Sequence, residues 1–305
     1  MKRILLLGKN GQVGVALQKV LPSYAALISQ DRTTCDLTEP DQIRSTIRAA
    51  KPDLIINAAA YTAVDQAETD TITCTKMNAI APAVIAEEAR LLGALLIHYS
   101  TDYVFDGSKT GCYSEEDLPN PVNVYGRSKF EGDQAILAAG GIHIILRVAW
   151  VYSATGRNFA KTILRLAAER DDLKVVNDQW GSPTSADQIA TVTAGIVSQY
   201  IASRQPASAT VAPRSGIYNL APSGVTSWYG FASELIAQAN QQGMKLRVSS
   251  DRIAPIESRD YPTPARRPAN SVLSTEKLQR SFDIAPPDWR DGVKTLVAEI
   301  AVRPS

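Results

Sequence analysis

A tyrosine and a lysine stand four residues apart in Tyr125-Gly126-Arg127-Ser128-Lys129. On a helix that spacing puts both side chains on one face. The pair suits carbonyl reduction: hydride transfer leaves negative charge on oxygen, and a placed phenol can deliver the neutralising proton. A free phenol has a pKa of about 10, so it needs an ammonium close by to stabilise the phenolate. Upstream, His98-Tyr99-Ser100-Thr101-Asp102-Tyr103 closes an apolar run. Thr101, or its neighbour Ser100, is a hydroxyl able to hold a substrate carbonyl beside the phenol while charge builds.

A second constellation is Gly8-Lys9-Asn10-Gly11-Gln12-Val13-Gly14, which follows the first apolar run and opens a helical stretch. Glycines there let backbone amides and the positive end of a helix approach a pyrophosphate. Asp31-Arg32 follows the second apolar run, near the ~20-residue spacing at which an acidic residue meets a ribose. Asp31 suits a free 2′-hydroxyl and Arg32 a 2′-phosphate, with Lys9 adding positive charge nearby. The balance favours NADPH, with NADH tolerated.

These groups need a scaffold that gathers strand ends. Short apolar runs at 4–7, 25–29, 54–57 and 94–100 alternate with helical patterns at 11–20, 41–50 and 72–92. That alternation predicts an α/β fold, a doubly wound parallel sheet with helices on both faces. Strands are also expected at 142–148, 174–176 and 217–220, and helices at 125–139, 158–170, 184–202 and 228–241. The expected division is a dinucleotide-binding domain over 1–150 and a smaller substrate-binding lobe over 151–305, with segments around 174–220 returning to the first domain. The Ala-, Ser- and Pro-rich stretch 202–215 reads as a surface loop.

Composition narrows the function classes. The 305 residues carry 32 Lys plus Arg against 31 Asp plus Glu with no block of like charge, so a nucleic-acid partner is not expected. Cys35, Cys74 and Cys112 lack the spacing of a zinc site or a disulfide framework. They fit a reducing cytoplasm. No apolar run approaches the ~18 residues of a membrane helix. His98 and His143 each stand alone in an apolar strand and read as satisfied core histidines. Asp65 and Glu68 read as the polar start of a short helix and make no glycosidase pair.

The motifs together resemble the extended short-chain dehydrogenases, and among them the dTDP-4-dehydrorhamnose reductase family. The resemblance rests on GKNGQVG at 8–14, NAAAYTAVD at 57–65, STDYVFDG from Ser100 and NVYGRSK from Asn123. It continues through RVAWVY at 147–152, NFAKT at 158–162, DQWGSPT at 178–184 and YPTPARRP at 261–268. It implies a Rossmann-like fold and a catalytic triad of Thr101, Tyr125 and Lys129, with Lys129 also gripping the nicotinamide ribose. It further implies cofactor contacts at Gly11, Gln12, Val13 and Asp31, at Asp36 and Leu37 after a short third strand, and at Ala60, Tyr61 and Thr62. Thr101, Asp102 and Trp150 would meet the sugar of a nucleotide-activated substrate, reduced at its C4 keto group for surface polysaccharide synthesis. Arg266 and Arg267, on a proline-stiffened loop, suit its diphosphate. Some relatives pair through a magnesium ion held partly by an acidic residue on the first helix. Val15-Ala16-Leu17 offers no carboxylate there, so a monomer or another form of homodimer is expected, with no metal site assigned. The alternatives are another sugar-nucleotide epimerase or reductase, or a non-catalytic regulatory subunit of the methionine adenosyltransferase type. A dehydratase would want an Asp-Glu pair after Thr101, where this chain has Asp102-Tyr103.

Overall fold

The computed structural model describes residues 2–203 and 214–302. Most of the expected surface loop at 202–215 therefore lies outside the described residues. Strand β1 (Arg3–Leu7) is exposed only at its first residue, the burial expected of a strand covered on both faces. The chain passes through α1 (Gln12–Val20), β2 (Ala26–Gln30), α2 (Pro40–Ala50) and β3 (Leu54–Asn57). Pro40 presets the first turn of α2, and Lys51 in the left-handed region ends it. The short third strand expected before Asp36 is not formed. Residues 31–39 instead make successive turns, in which Asp31 and Asp36 accept hydrogen bonds from the backbone amides of Thr33 and Thr38.

Short helices α3 (Val64–Ala67) and α4 (Thr71–Thr75) follow. The sequence pattern predicts one helix over 72–92. The structure interrupts it with a π-helical turn (Lys76–Ile80) before α5 (Ala81–Leu92). Pro82 has no N–H for the helical ladder, and the turn carries Asn78, whose amide accepts from Tyr61 N at 2.9 Å and donates to Tyr61 O at 3.0 Å. Strand β4 (Leu95–Thr101) is buried throughout, and α6 (Val124–Ala139) leads into β5 (His143–Val148).

The second half contains β6 (Val151–Tyr152), α7 (Phe159–Glu169), β7 (Leu173–Val176), β8 (Trp180–Gly181), β9 (Thr184–Ser185) and α8 (Ala186–Ser203). It continues with β10 (Gly216–Leu220), β11 (Thr226–Ser227), α9 (Trp228–Gln241), β12 (Ile253–Ile256), α10 (Glu276–Phe282) and α11 (Trp289–Val302). The main sheet is six-stranded in the order β2-β1-β3-β4-β5-β10, parallel at every pairing. Residues of α1, α8 and α10 join the core on one face, and those of α2, α5 and α6 the core on the other. Strand β7 does not return to this sheet: it pairs with β12, beside a separate core that α7, α9 and α11 build around Phe231 and Trp289.

Strand order reverses between β1 and β3, the point at which open α/β sheets hold ligands beyond their strand ends. On the far side, α6 lies close against the π-turn because a Cβ on Gly132 would overlap the Asn78 carbonyl. A Gly132→Ala change gains up to ~1 kcal/mol of helix propensity. The overlap wins, and a net loss of about 1–3 kcal/mol is expected in a urea titration. An unchanged midpoint would contradict this packing.

Candidate active site

Strand β4 and helix α6 build the site together. Thr101 closes the strand, while Tyr125 and Lys129 lie one turn apart on the helix. Close approach is possible because Gly126 has no side chain: a Cβ there would overlap the Tyr103 carbonyl. Asn123 caps the helix by accepting from Gly126 N at 2.7 Å, and its Nδ2 donates to the Arg266 carbonyl at 2.8 Å. Val124 N donates to Glu68 at 2.9 Å. The start of α6 is thus tied to the proline-rich loop and to the segment after β3.

Lys129 is 1% exposed. Its Nζ donates to the Tyr99 carbonyl at 2.6 Å and lies 3.1 Å from His98 Nε2. Burial pushes the amine down to about 8, against an opposing pull from Asp133, four residues further along α6. Asp133 is buried with Arg147, whose Nε is 3.3 Å away, and accepts from the Ser100 hydroxyl at 2.9 Å. Burial pushes the Tyr125 phenol up, and the neighbouring Thr101 hydroxyl acts against that push. The Thr101 hydroxyl donates to Asp102 at 3.0 Å and accepts from Tyr103 N at 3.2 Å. Asp102 is 3% exposed. Burial raises its carboxyl to about 6, against the lowering influence of neighbouring Ser271 and Thr101.

A cleft of about 1050 Å³ opens beside this group. Tyr103 lines it and meets the Tyr125 ring edge-on, with centroids 5.8 Å apart. Thr62, Asp65, Trp150, Arg266 and Arg267 also line it. Trp150 has a left-handed backbone, φ 47°, and stacks on Trp228 at 3.6 Å. A Cβ on Gly181 would lie 2.6 Å from the Trp150 ring, so that glycine makes room for it. Arg267 grips Asp65 through two hydrogen bonds of 3.0 and 2.8 Å, while Arg266 stays exposed on the cleft wall.

The glycine turn lies at the switch point. Gly8 has φ 86°, and a Cβ there would sit 2.7 Å from Ala59 N. A Cβ on Gly14 would overlap the Gly8 carbonyl. Gly11 starts α1 with no side-chain cap, so the amide end of the helix is open to an anion. Gln12 Oε1 accepts from Ser153 at 3.0 Å and Asn158 at 2.8 Å, fastening the turn to the second half of the chain. Val13 is packed against the sheet core and half-buried. Lys9 pairs with Asp31 at 3.1 Å. Hydrogen bonds from Thr33 and then Lys9 hold the Asp31 carboxyl well below the usual range. The Arg32 side chain is 83% exposed and faces Asp36 at 3.6 Å. The cradle and its cationic rim fit a dinucleotide phosphate group.

A profile of the family described as RmlD substrate binding domain matches residues 1–302. A Burkholderia thailandensis protein named dTDP-4-dehydrorhamnose reductase is 43% identical over 298 residues, covering 98% of this chain and 99% of that protein. The chain belongs to the dTDP-4-dehydrorhamnose reductase family. Its Escherichia coli K12 relative of the same name is 42% identical, with 97% of each chain covered. A solved Bacillus anthracis dTDP-4-dehydrorhamnose reductase in complex with NADP superposes with a TM-score of 0.88 at 32% identity, over 98% of this chain and 100% of that one.

Within this reductase fold, the residues singled out from sequence do not all fall in one place. Thr101, Tyr125 and Lys129 share one strand–helix junction, and Thr62, Trp150, Arg266 and Arg267 share the cleft. Ala60 and half-buried Tyr61 lie on the segment after β3. Leu37 is 6% exposed within the core beneath the sheet, and Asp102 lies under Thr101 instead of facing the cleft. Among the described residues no group of three or more His, Cys, Asp or Glu could hold a metal ion. On α1 a lysine occupies the acidic neighbourhood, Lys19 lying 3.2 Å from Asp187 and 4.0 Å from Glu299. Sequence reasoning missed the engagement of His98 with Lys129, the partnership of Asp65 with Arg267, and Trp228 as the ring beneath Trp150. Asp133 was findable, because it continues the four-residue spacing of Tyr125 and Lys129. No helix among the described residues is long and apolar enough to cross a membrane.

The raised Asp102 carboxyl gives a pH signature. Its unfolded pKa is about 3.9 and its folded value about 6, so the unfolded chain ionises first and stability falls as pH rises through that window. The difference in unfolding free energy between wild type and Asp102→Asn is expected to drop by about 2–3 kcal/mol between pH ~4 and pH ~7. A pH-independent difference would remove the buried carboxyl from this account.

Proposed function

We propose that this chain is a cytoplasmic, NADPH-preferring reductase that converts the C4 keto group of dTDP-4-dehydro-L-rhamnose to the alcohol of dTDP-L-rhamnose, a precursor of surface polysaccharide. The observation that carries the reading is the junction of Thr101, Tyr125 and buried Lys129 beside the large cleft. The names of the relatives and the NADP complex of the Bacillus anthracis protein support the substrate and the cofactor.

When bound, the nicotinamide supplies the hydride. The chain does the rest. Gly8, Gly11, Gln12, Val13 and Gly14 form the pyrophosphate cradle. Arg32 with Lys9 favours the 2′-phosphate of NADPH. Asp31 and Asp36 order the loop that carries Arg32, and Leu37 anchors that loop in the core. NADH is tolerated because the same turn serves both cofactors. Ala60, Tyr61 and Thr62 flank the cofactor from the end of β3. Tyr125 gives its proton to the oxygen that gains charge, and Lys129 stabilises the phenolate left behind. Thr101, backed by Asp102, positions that oxygen beside Tyr125. Trp150 shapes the sugar subsite, Arg266 meets the diphosphate and Arg267 holds the loop through Asp65.

The lobe of residues 1–150, joined by later segments of the sheet, carries the cofactor, and most of 151–305 carries the sugar nucleotide, acting as a monomer or a homodimer without a metal bridge. The full set of Thr101, Tyr125 and Lys129 favours turnover over a purely regulatory role.

Tyr125→Phe removes the proton donor with little change in shape. Its turnover of NADPH with dTDP-4-dehydro-L-rhamnose is expected to fall about 10²–10⁴-fold, with NADPH binding retained in a fluorescence titration. Substantial residual turnover would reassign the donor. Arg266→Ala is expected to raise the sugar-nucleotide KM about tenfold, a loss of about 1.4 kcal/mol, with kcat held. An unchanged KM would move the diphosphate elsewhere.

A further inference from the structure

Three unfavourable features meet at one side chain. Trp150 has a left-handed backbone, φ 47°, which a residue with a side chain adopts rarely. Its ring lies almost squarely over that of Trp228, with centroids 3.6 Å apart and planes within 9°, although the like charge of two ring faces favours offset or edge-on pairs. Its edge is also so near Gly181 that a Cβ there would lie 2.6 Å from the ring. Trp150 and Trp228 are both half-buried and line the cleft, so closing a core does not account for the arrangement. Strain of this kind persists only where the surroundings hold it in place, and it gathers at ligand sites.

The surroundings are a two-stranded ribbon. Strands β8 and β11 pair antiparallel, Trp180 opposite Ser227 and Gly181 opposite Thr226. One step beyond, that register sets Gln179 opposite Trp228. One strand thus delivers the glycine at the edge of the Trp150 ring, and the other delivers the ring beneath it. Gln179 is 9% exposed, and each hydrogen bond around its amide has a single sense. Trp228 Nε1 can only donate, so at 3.2 Å it fixes the carbonyl side of the amide. Gln179 Nε2 then donates to Ser258 Oγ at 2.9 Å, and the Ser258 hydroxyl donates in turn to Asp178 at 2.6 Å. Phe159, at the start of α7, packs against Trp228 as well, with centroids 4.5 Å apart.

We propose that Trp228 and Gln179 are positioning residues that set the plane of the Trp150 ring, and that this plane determines how strongly the cleft prefers a deoxysugar nucleotide to the bare nucleoside diphosphate. The proposal rests on the reading of Trp150 as the wall of the sugar subsite. A deoxysugar offers ring C–H groups and a methyl group, apolar surface that an aromatic ring covers well when the two planes match. A ring free to tilt keeps its apolar area and loses the match, whereas a ring held in advance loses less conformational freedom when the sugar arrives. The same hydrogen-bond ladder ends at Ser258, shortly before the proline-stiffened loop that carries Arg266. The wall for the sugar and the loop for the diphosphate therefore share an anchor.

Gln179→Leu and Trp228→Phe remove one hydrogen bond from its two ends while keeping most of the shape. In calorimetric titrations of the NADPH-loaded protein, each is expected to lower the preference for dTDP-L-rhamnose over dTDP, the ratio of their dissociation constants, by about three- to tenfold. The affinity for NADPH should hold. Because both variants lose the same bond, the double variant should be no worse than either alone. Additive losses would overturn the shared role.

The ring itself is read by 19F NMR of protein labelled with 5-fluorotryptophan. The chain has four tryptophans, and the Trp150 resonance is the one lost in Trp150→Phe. It should shift or split in Gln179→Leu, where the Trp228 ring is chemically unchanged. A Trp150 resonance that stays put, or a sugar preference that stays whole, in folded Gln179→Leu overturns the proposal. Should that variant fail to fold, the sugar preference of Trp228→Phe decides in the same sense. Neither readout needs turnover. A moved ring and a lost preference, in a protein that oxidises no NADPH with dTDP-4-dehydro-L-rhamnose, would uphold the positioning role and defeat the reductase reading instead.

Discussion

The amine of Lys129, 2.6 Å from the Tyr99 carbonyl with 1% of the residue exposed, constrains everything around it. Removing a chargeable group from water is unfavourable by several kcal/mol in order of magnitude unless its hydrogen bonds are met. The protein meets them from the strand beneath the helix. That demand accounts for the close seating of α6 on β4, for Gly126 at the closest approach, and for a polar row of Asn57, His98 and Ser100 at the ends of strands that are otherwise apolar. Asp133 and Arg147 supply a second buried pair one turn further on, so the helix is held by charge as well as by packing.

Around that fixed point the two halves of the chain are joined by polar contacts with large sequence separations. Gln12 in the glycine turn binds Ser153 and Asn158. Asn123 at the head of α6 binds the Arg266 carbonyl, and Asp65 binds Arg267. Each contact joins a residue of the first half of the chain to one of the second half. Movement of the proline-rich loop would therefore be felt at the start of α6, where Tyr125 lies. The stacked Trp150 and Trp228 rings give the opposite wall an apolar, rigid character.

Much of this was legible in the amino-acid sequence, for physical reasons. Buried parallel strands must be continuous apolar runs, so β1, β3 and β4 stand out. The glycine turn and the Tyr125–Lys129 spacing are local in sequence and survive without knowledge of the fold. What escaped was long-range or relational. Nothing near His98 says that its ring will face an amine from a helix 31 residues on. Asp65 looks like the start of a short helix, and it is one, yet its carboxylate serves an arginine 202 residues away. The π-turn at Lys76–Ile80 hides inside a good helical pattern because its cause is the tertiary contact of Asn78 with Tyr61. The strand at 173–176 has the composition of a sheet strand, and only its pairing with β12 shows that it belongs to the other core.

The most direct test of the central claim, that this strand–helix junction reduces a keto group, is to follow the transferred hydrogen. NADPH carrying deuterium at its transferable position would be turned over with dTDP-4-dehydro-L-rhamnose and the product examined by NMR. The account predicts deuterium at C4 of the sugar, with one cofactor oxidised for each sugar reduced. A folded protein that binds NADPH but leaves the cofactor unoxidised, or a product whose C4 carries no deuterium, would contradict it.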